Sequence, residues 1–161
     1  MDYNELMNGF AAKFAVEGLE IQDGACALEI DGTTVLFIHD LEADAVTLVA
    51  DIGTPPPSAD GPFGAMLLKA NYLFGGTAGA TLCQNPQTEA YAICRSLPLA
   101  ALDADALGAR VEALVNQAEN WKGILSGSAA AEQENAPGDA LPQPDAETPG
   151  GFMNLGGFMQ V

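Results

Sequence analysis

Two apolar runs of the sequence, at 26–30 and 33–39, are separated only by the pair Asp31-Gly32. Both central positions of a two-residue hairpin turn need a positive φ, which aspartate and glycine adopt more readily than most residues. The pair therefore predicts an antiparallel hairpin. A third strand, at about 45–52, follows the acidic turn 40–44 and alternates apolar side chains on one face. The chain is thus expected to build an antiparallel sheet.

Three other segments repeat apolar residues at the spacing of three and four that is typical of a helix. The first predicts a helix over about 2–17, with Gly18 as its stop. The second predicts a helix that begins at Pro62, because the proline-rich segment 53–61 before it is expected to be a loop. The third predicts a long helix over about 103–125.

A second hairpin is predicted between the second and third helices. Its strands are expected at about 77–83 and 90–97, around a polar turn that contains a proline. The element order is therefore helix, three strands, helix, two strands, helix. This order predicts an α+β fold, a twisted antiparallel sheet with helices packed against it.

The net charge of the chain restricts the classes of molecule that it can bind. Its 161 residues include 22 acidic and 5 basic ones, a formal net charge of −17, although 48% of the residues are hydrophobic. Such a surplus of carboxylates repels phosphate backbones and anionic lipid headgroups, which argues against nucleic-acid and membrane partners. No signal peptide and no apolar run of roughly 20 residues is recognisable, so we expect a cytoplasmic location. The three cysteines lack CxxC spacing and predict reduced core thiols.

The composition changes after Leu125. Residues 1–125 are predicted to form one α+β domain, and 126–161 an acidic tail, rich in Pro, Gly and Ala, that cannot bury enough apolar surface to fold alone. The tail ends in a six-residue unit written twice, GGFMNL and GGFMQV. The apolar residues of this unit either stay free in water or dock in a groove of the protein or of a neighbour. They are Phe152, Met153, Leu155, Phe158, Met159 and Val161.

Residues that could do chemistry are few. His39 is the one histidine of the chain, beside Asp40 and Glu42 at the end of a strand, where a solvated turn explains it better than a catalytic base does. Ser58 and Ser96 lack the context of a nucleophile elbow, and the acidic pairs lack the spacing of a calcium loop. We predict no catalytic, cofactor-binding or metal-binding residues, no cofactor, and no enzymatic activity.

Two elements carry more apolar side chains than one core contact needs. The second strand is apolar on both faces, so either helices cover both sides or one face is left for a partner. The second helix is apolar around much of its circumference, which suggests a subunit interface.

The stretch 66–82, MLLKANYLFGGTAGATL, resembles the middle of the class I type III secretion chaperones, the Tir chaperone family. In that family a helix with an LLxxN core runs through small residues into a strand. The resemblance continues through 91–99 and through 114–121, which looks like the closing helix of the family. It covers about residues 1–125 in the family's element order, and the tail departs from the family pattern.

This resemblance implies a homodimeric chaperone of the bacterial cytoplasm without catalytic activity. Such a chaperone binds the N-terminal segment of a secreted effector, keeps it extended and soluble, and delivers it to the export apparatus, whose ATPase is a further expected partner. The dimer contact would lie on the second helix and the start of the fourth strand, at Met66, Leu67, Ala70, Leu73 and Phe74. Effector grooves would lie on the first helix and the first three strands. Candidates for them, unless they belong to the core, are Phe10, Phe14, Leu36 and Ile38.

A function of another class stays open. The chain could be a small acidic ligand-binding or regulatory domain, or an enzyme of unknown reaction, with its site between the sheet and the second helix. Such a site would be a concave pocket with convergent polar groups.

Overall fold

The structure, a computed structural model, describes residues 2–55 and 57–134; for 57–59 and 128–134 only the backbone is considered. Three helices and five strands follow one another in the predicted α+β order. They are α1 (Tyr3–Phe14), β1 (Ala25–Ile30), β2 (Thr33–Asp40), β3 (Ala45–Gly53), α2 (Pro57–Asn71), β4 (Thr81–Gln84), β5 (Tyr91–Pro98) and α3 (Ala104–Glu134). Short 3₁₀ turns, at Tyr72–Phe74 and Leu99–Ala101, follow α2 and β5.

The five strands form one antiparallel sheet in the order β1-β2-β3-β5-β4. The predicted tight hairpin is confirmed, because Ile30 pairs with Thr33 across Asp31 and Gly32, whose φ angles are 50° and 76°. The second predicted hairpin is β4–β5. Strands β1 and β4 are therefore the two edges of the sheet.

The core lies between one face of the sheet and the helices α1 and α3. Side chains at alternate positions of β2 and β3, among them Phe37 and Leu48, are fully buried there, together with Leu107 and Leu114 of α3. Leu36 lies on the opposite face of β2 and is half-buried, as its odd–even position requires. One face of the sheet is thus covered by helices and the other stays partly open.

Helix α1 is shorter than its apolar pattern predicts. It begins with a capping box, in which the Asp2 side chain accepts from the Glu5 backbone N–H at 2.8 Å and the Glu5 carboxylate accepts from the Asp2 N–H at 3.0 Å. It ends at Phe14 because Ala15 adopts a left-handed conformation, with φ 53°, three residues before the predicted stop at Gly18. The chain then turns toward the edge of the sheet.

The proline-rich segment before α2 was expected to be a loop as far as 61, and this prediction is wrong. Helix α2 begins at Pro57, and Pro62 lies inside it. A proline suits the first helical position because its φ is already near the helical value and the N–H that it lacks would have no partner there. Strand β4 also begins later than predicted, at Thr81, because Ala80 N–H donates to the Thr77 carbonyl in a turn.

Helix α3 begins as predicted, since the Asp103 carboxylate caps it by accepting from the Ala106 N–H at 2.8 Å. It continues past the predicted end at 125 as far as Glu134, through a segment rich in alanine and glutamate, which favour helix. The doubled unit of the tail lies outside the described residues. None of the three described helices combines the length and apolarity needed to span a bilayer.

A polar cluster ties the first hairpin to α3. Thr33, which is fully buried, donates to the Glu119 carboxylate at 2.5 Å, and the Lys122 ammonium donates to both Thr33 Oγ1 and Glu119 at 2.8 Å. The hydrogen bond from Lys122, and then that from Thr33, lowers the pKa of Glu119 because both favour the ionised carboxylate.

We expect the substitution Glu119→Gln to remove a pH-dependent part of the stability. Because the pKa of Glu119 is lowered on folding, its contribution is present at neutral pH and is lost as the pH falls through the pKa of the folded state. Urea unfolding should therefore give a lower midpoint for the variant at about pH 7, and the difference between the two midpoints should shrink as the pH falls through the pKa of folded Glu119. Glu112→Gln, on the same helix, is the control and should leave the pH profile unchanged; an unchanged profile for Glu119→Gln would contradict the role of the cluster.

Candidate functional site: an edge groove and an exposed apolar patch

An open groove of about 720 Å³ lies between the end of α1, the edge strand β1 and the first half of α3. Its apolar lining consists of Phe10, Phe14, Val16, Leu28, Ile30, Val111 and Val115. Its acidic lining consists of Glu17, Glu29, Asp31 and Glu112, with no lysine or arginine among the lining residues. We call this site the edge groove. It combines an apolar floor with an acidic rim.

Phe14 forms the lip of the edge groove. Its side chain is 48% exposed, and its ring centroid lies 4.9 Å from that of Phe10, which is buried beneath it. The ring lies against Gly108 of α3, where a β-carbon would clash with it. Gly108 thus lets a large aromatic side chain lie across α3 beside the groove.

The outer edge of β1 has main-chain groups without a neighbouring strand. The N–H and carbonyl of Ala25 point away from β2 and bond to Gln22, both at 2.8 Å. In an antiparallel pair this direction alternates, so the N–H and carbonyl groups of Ala27 and Glu29 also point outward. Within the described part of the chain they have no hydrogen-bond partner. An extended segment could therefore pair with β1 and lay side chains into the edge groove.

The structure brings two of the four predicted groove residues to this site. Phe10 belongs to the core and forms part of the groove floor, and Phe14 forms its lip. Leu36 and Ile38 lie half-buried on the other face of the sheet. Sequence reasoning missed Leu28 and Ile30, although the alternation of Cys26, Leu28 and Ile30 places them on the helix-covered face beside an uncovered edge.

A second apolar surface lies at the end of α2 and in the 3₁₀ turn that follows it. Its members are exposed to between 53% (Phe74) and 79% (Leu73), far more than large apolar side chains usually are. They are Leu68, Tyr72, Leu73 and Phe74, and we call them the α2 patch. Contiguous exposed side chains of this kind mark protein interaction sites.

Polar contacts hold the backbone under the α2 patch. The Asn71 side chain donates to the Leu82 carbonyl at 2.9 Å and accepts from the Leu82 N–H at 2.8 Å, which ties α2 to the outer edge of β4. Trp121 Nε1 donates to the Gly76 carbonyl at 3.3 Å and ties the following loop to α3. The LLxxN sequence therefore supplies one core residue, Leu67, one patch residue, Leu68, and the clamp Asn71.

Only part of the predicted dimer contact coincides with the α2 patch. Leu73 and Phe74 are exposed, Met66 and Ala70 are half-buried, and Leu67 is buried in the core. Leu68 and Tyr72 belong to the patch but were not among the predicted contact residues. The apolar residues around the whole circumference of the second helix include both of them. This pattern does not show which side of the helix faces the core and which is exposed.

The substitution Asn71→Ala is expected to destabilise the protein by about 1–3 kcal/mol, because it leaves both main-chain groups of Leu82 without their partner. Urea unfolding of the variant measures this loss. Asn120→Ala, an exposed amide on α3, is the matched control and should change stability by less than about 0.5 kcal/mol. Equal stability of the two variants would exclude the clamp.

The His39 side chain, which was considered as a catalytic base, packs against an aromatic ring. The His39 ring stacks on that of Tyr3 with a centroid distance of 4.8 Å, and the Tyr3 hydroxyl donates to the Phe37 carbonyl at 3.3 Å. Within residues 2–55 and 57–134, no group of three or more His, Cys, Asp or Glu side chains could hold a metal ion. The edge groove has the character of a binding surface.

A sequence model of the Tir chaperone protein (CesT) family matches residues 5–122. No significant match was found among curated protein sequences. The family match spans the whole α+β unit apart from its two ends, and includes α1, the sheet, the α2 patch and most of α3.

Several solved structures have a similar fold, and three of them were each determined as a complex of two proteins. The HopA1–SchA chaperone–effector complex contains a chain with 19% identity and a TM-score of 0.62, with 75% of this chain and 93% of that chain covered. The Yersinia pestis type III secretion chaperone SycH, solved with a stable fragment of YscM2, has 18% identity and a TM-score of 0.58, with 74% of this chain and 98% of that chain covered. The heterodimeric ExoU–SpcU complex from the type III secretion system of Pseudomonas aeruginosa contains a chain with 18% identity and a TM-score of 0.58, with 72% of this chain and 94% of that chain covered. At these identities the likeness is one of fold.

Proposed function

The chain belongs to the Tir chaperone protein (CesT) family, and on this premise we propose that it is a type III secretion chaperone that binds an N-terminal segment of a secreted effector. It keeps the segment extended and soluble and presents it to the export apparatus, whose ATPase is a further partner. It works in the bacterial cytoplasm and performs no catalysis. The solved complexes of similar fold support this proposal, since each holds a partner protein.

The observation that carries the proposal is the free edge of β1 beside the edge groove. A client segment that pairs with Ala27 and Glu29 continues the antiparallel sheet through main-chain hydrogen bonds, which any sequence except proline can make. Every second side chain of the client then faces the apolar floor. Affinity therefore comes from the backbone and from apolar burial, which suits a chaperone with loose sequence demands.

The lining of the groove predicts the chemistry of the client segment. Alternate positions should be apolar, to cover Leu28, Ile30 and Phe14. Positions at the rim should include lysine or arginine, because four carboxylates line the groove and no basic residue does. Charge pairs of this kind at an exposed rim act mainly on the association rate and on specificity.

The α2 patch supports a homodimer. Its four large side chains are held on a backbone that Asn71 and Trp121 tie to the rest of the fold, so the patch is ordered before it meets a partner. A second copy of the chain, with the same patch, covers it in a two-fold symmetric contact. The dimer then leaves the edge groove of each protomer available for a client.

Co-purification tests the proposal. The full chain is expressed together with the secreted effector encoded beside its gene, and the segment that the complex protects from protease is identified by mass spectrometry. We expect an N-terminal fragment of the effector. Hydrogen exchange should show new protection of the Ala27 and Glu29 amides, with little change at Cys26 and Leu28, which already face β2. A strict monomer that captures no effector would overturn the proposal.

A ligand-binding or enzymatic role is the rival, and the same samples test it. That role requires a site between the sheet and α2, whereas the edge groove lies between α1, β1 and α3. Protection confined to α2 in the presence of small metabolites, without an effector segment, would favour the rival.

A further inference from the structure

Cys83 and Cys94 lie side by side on the face of the sheet opposite the helices. Cys83 pairs with Ala92 and Cys94 with Thr81, so the two cysteines are diagonal neighbours on β4 and β5. Their sulfur atoms are 3.9 Å apart, and both residues are half-buried. The third cysteine, Cys26, is buried beneath α1, where the Tyr3 hydroxyl lies 3.8 Å from its sulfur. The two thiols thus form a pair that reagents can reach, whereas the third is shielded.

The two thiols of the pair are not equivalent. The Cys83 thiol has one proton to donate, and two acceptors lie within reach of it, the Cys94 sulfur at 3.9 Å and the Ala92 carbonyl at 3.6 Å. The hydrogen bond from Cys83 lowers the pKa of Cys94 to about 7. The same hydrogen bond, together with burial, raises the pKa of Cys83, since the thiolate could no longer donate. Cys94 is therefore placed to be the nucleophile and Cys83 to remain the protonated neighbour.

We propose that Cys83 and Cys94 form a redox-active dithiol, which a peroxide oxidant converts to an intramolecular disulfide. The Cys94 thiolate attacks a peroxide oxygen and breaks the O–O bond; one oxygen leaves as water once protonated, and Cys94 becomes a sulfenic acid. The Cys83 sulfur then attacks the Cys94 sulfur, the S–O bond breaks, and the second oxygen leaves as water. In total, two thiols and one hydrogen peroxide give one disulfide and two waters.

The geometry requires a small movement. The sulfur atoms must approach from 3.9 Å to about 2.05 Å, and diagonal cross-strand positions are less favourable for a disulfide than directly bridged ones. Strand β4 has only four residues and lies at the edge of the sheet, which allows a small movement of its backbone. The Asn71 side chain and the buried Leu82 oppose that movement, because they tie β4 to α2 and to the core. A disulfide made in this way is strained and hence easily reduced. The modification is reversible.

Mass spectrometry of the full-length protein tests the proposal. After hydrogen peroxide treatment, unfolding and alkylation, we expect one alkylated cysteine, Cys26, instead of three, and a peptide that joins residues 83 and 94. Dithiothreitol should restore three alkylated cysteines. Three alkylated cysteines after oxidation, or a disulfide between two chains, would overturn the proposal.

Two single variants test the separate roles of the thiols. Cys83→Ser should stop at the sulfenic acid of Cys94, which dimedone traps as a covalent adduct. Cys94→Ser should react with peroxide roughly tenfold more slowly than the wild type, because little of an ordinary thiol is ionised at neutral pH. Equal rates for Cys94→Ser and the wild type would contradict the assignment of Cys94 as the nucleophile. Both positions are half-buried on the sheet surface, and serine is close in size to cysteine, so both variants should fold.

Discussion

Client binding is expected to fall by roughly 30- to 150-fold when Ala27 is replaced with proline. The proline lacks the outward N–H of β1, and its ring occupies the space where the client strand would approach. A main-chain acceptor of the client is left unpaired, and together with the steric conflict this costs about 2–3 kcal/mol. Titration of the variant with the co-purified effector segment, by calorimetry or fluorescence anisotropy, measures the loss.

The fold should survive this substitution, because proline is tolerated on an edge strand where its missing N–H would face outward. Ala27→Val is the matched control. It keeps the N–H and adds a β-branched side chain on the opposite face of the sheet, so binding should stay within about twofold. Full binding by Ala27→Pro, with an unchanged circular dichroism spectrum, would place the client elsewhere on the molecule.

The substitution Leu73→Asp is expected to convert the proposed homodimer to a monomer. Leu73 is 79% exposed in the single chain, so a charge there should be harmless to folding. In the dimer it would remove apolar burial worth about 1.5–3 kcal/mol and bury a carboxylate without a partner. A loss of at least about 3 kcal/mol raises the dimer dissociation constant by roughly 100-fold or more. Sedimentation velocity across a concentration series measures it.

Leu41→Asp is the matched control for the α2 patch. Leu41 is 83% exposed, in the turn between β2 and β3, and receives the same change of chemistry. It should leave the dissociation constant unchanged. A Leu73→Asp protein that sediments as the wild-type dimer would show that another surface forms the contact.

The fold followed from local patterns. Asp31-Gly32 predicted the first hairpin because a tight turn needs two residues that accept positive φ, and both residues have it in the structure. Helix ends were predicted less well. Ala15 stops α1 in a left-handed conformation that glycine would normally supply, and Pro57 begins a helix in a segment whose prolines suggested a loop. The conformational preference of alanine does not predict a left-handed residue, and that of proline does not predict a helix. At Ala15 and Pro57, packing and the position relative to the helix end outweigh these preferences.

The candidate site was predicted in part, for a physical reason. Apolar periodicity identifies which side chains share a face, but it does not say whether another element covers that face. Leu67 and Leu68 are adjacent in the sequence and have the same chemistry, yet one is buried in the core and the other is exposed in the α2 patch. On α1, likewise, Phe10 is buried in the core whereas Phe14 is exposed.

The sequence by itself determined the α+β element order, the antiparallel pairing of the two hairpins, the acidic surface and the resemblance to secretion chaperones. These properties depend on turn chemistry, residue spacing and composition, which act over a few residues. Only the tertiary structure decided that β1 is an uncovered edge beside an acidic groove, that Asn71 clamps β4, and that Cys83 and Cys94 are neighbours. The uncovered edge depends on contacts between residues far apart in the chain, which are set by packing of the whole core. The Asn71 and cysteine contacts each span only 11 residues, but they depend on where α2 and β4 begin and end and on the register of β4 with β5, which turn chemistry and residue spacing did not fix.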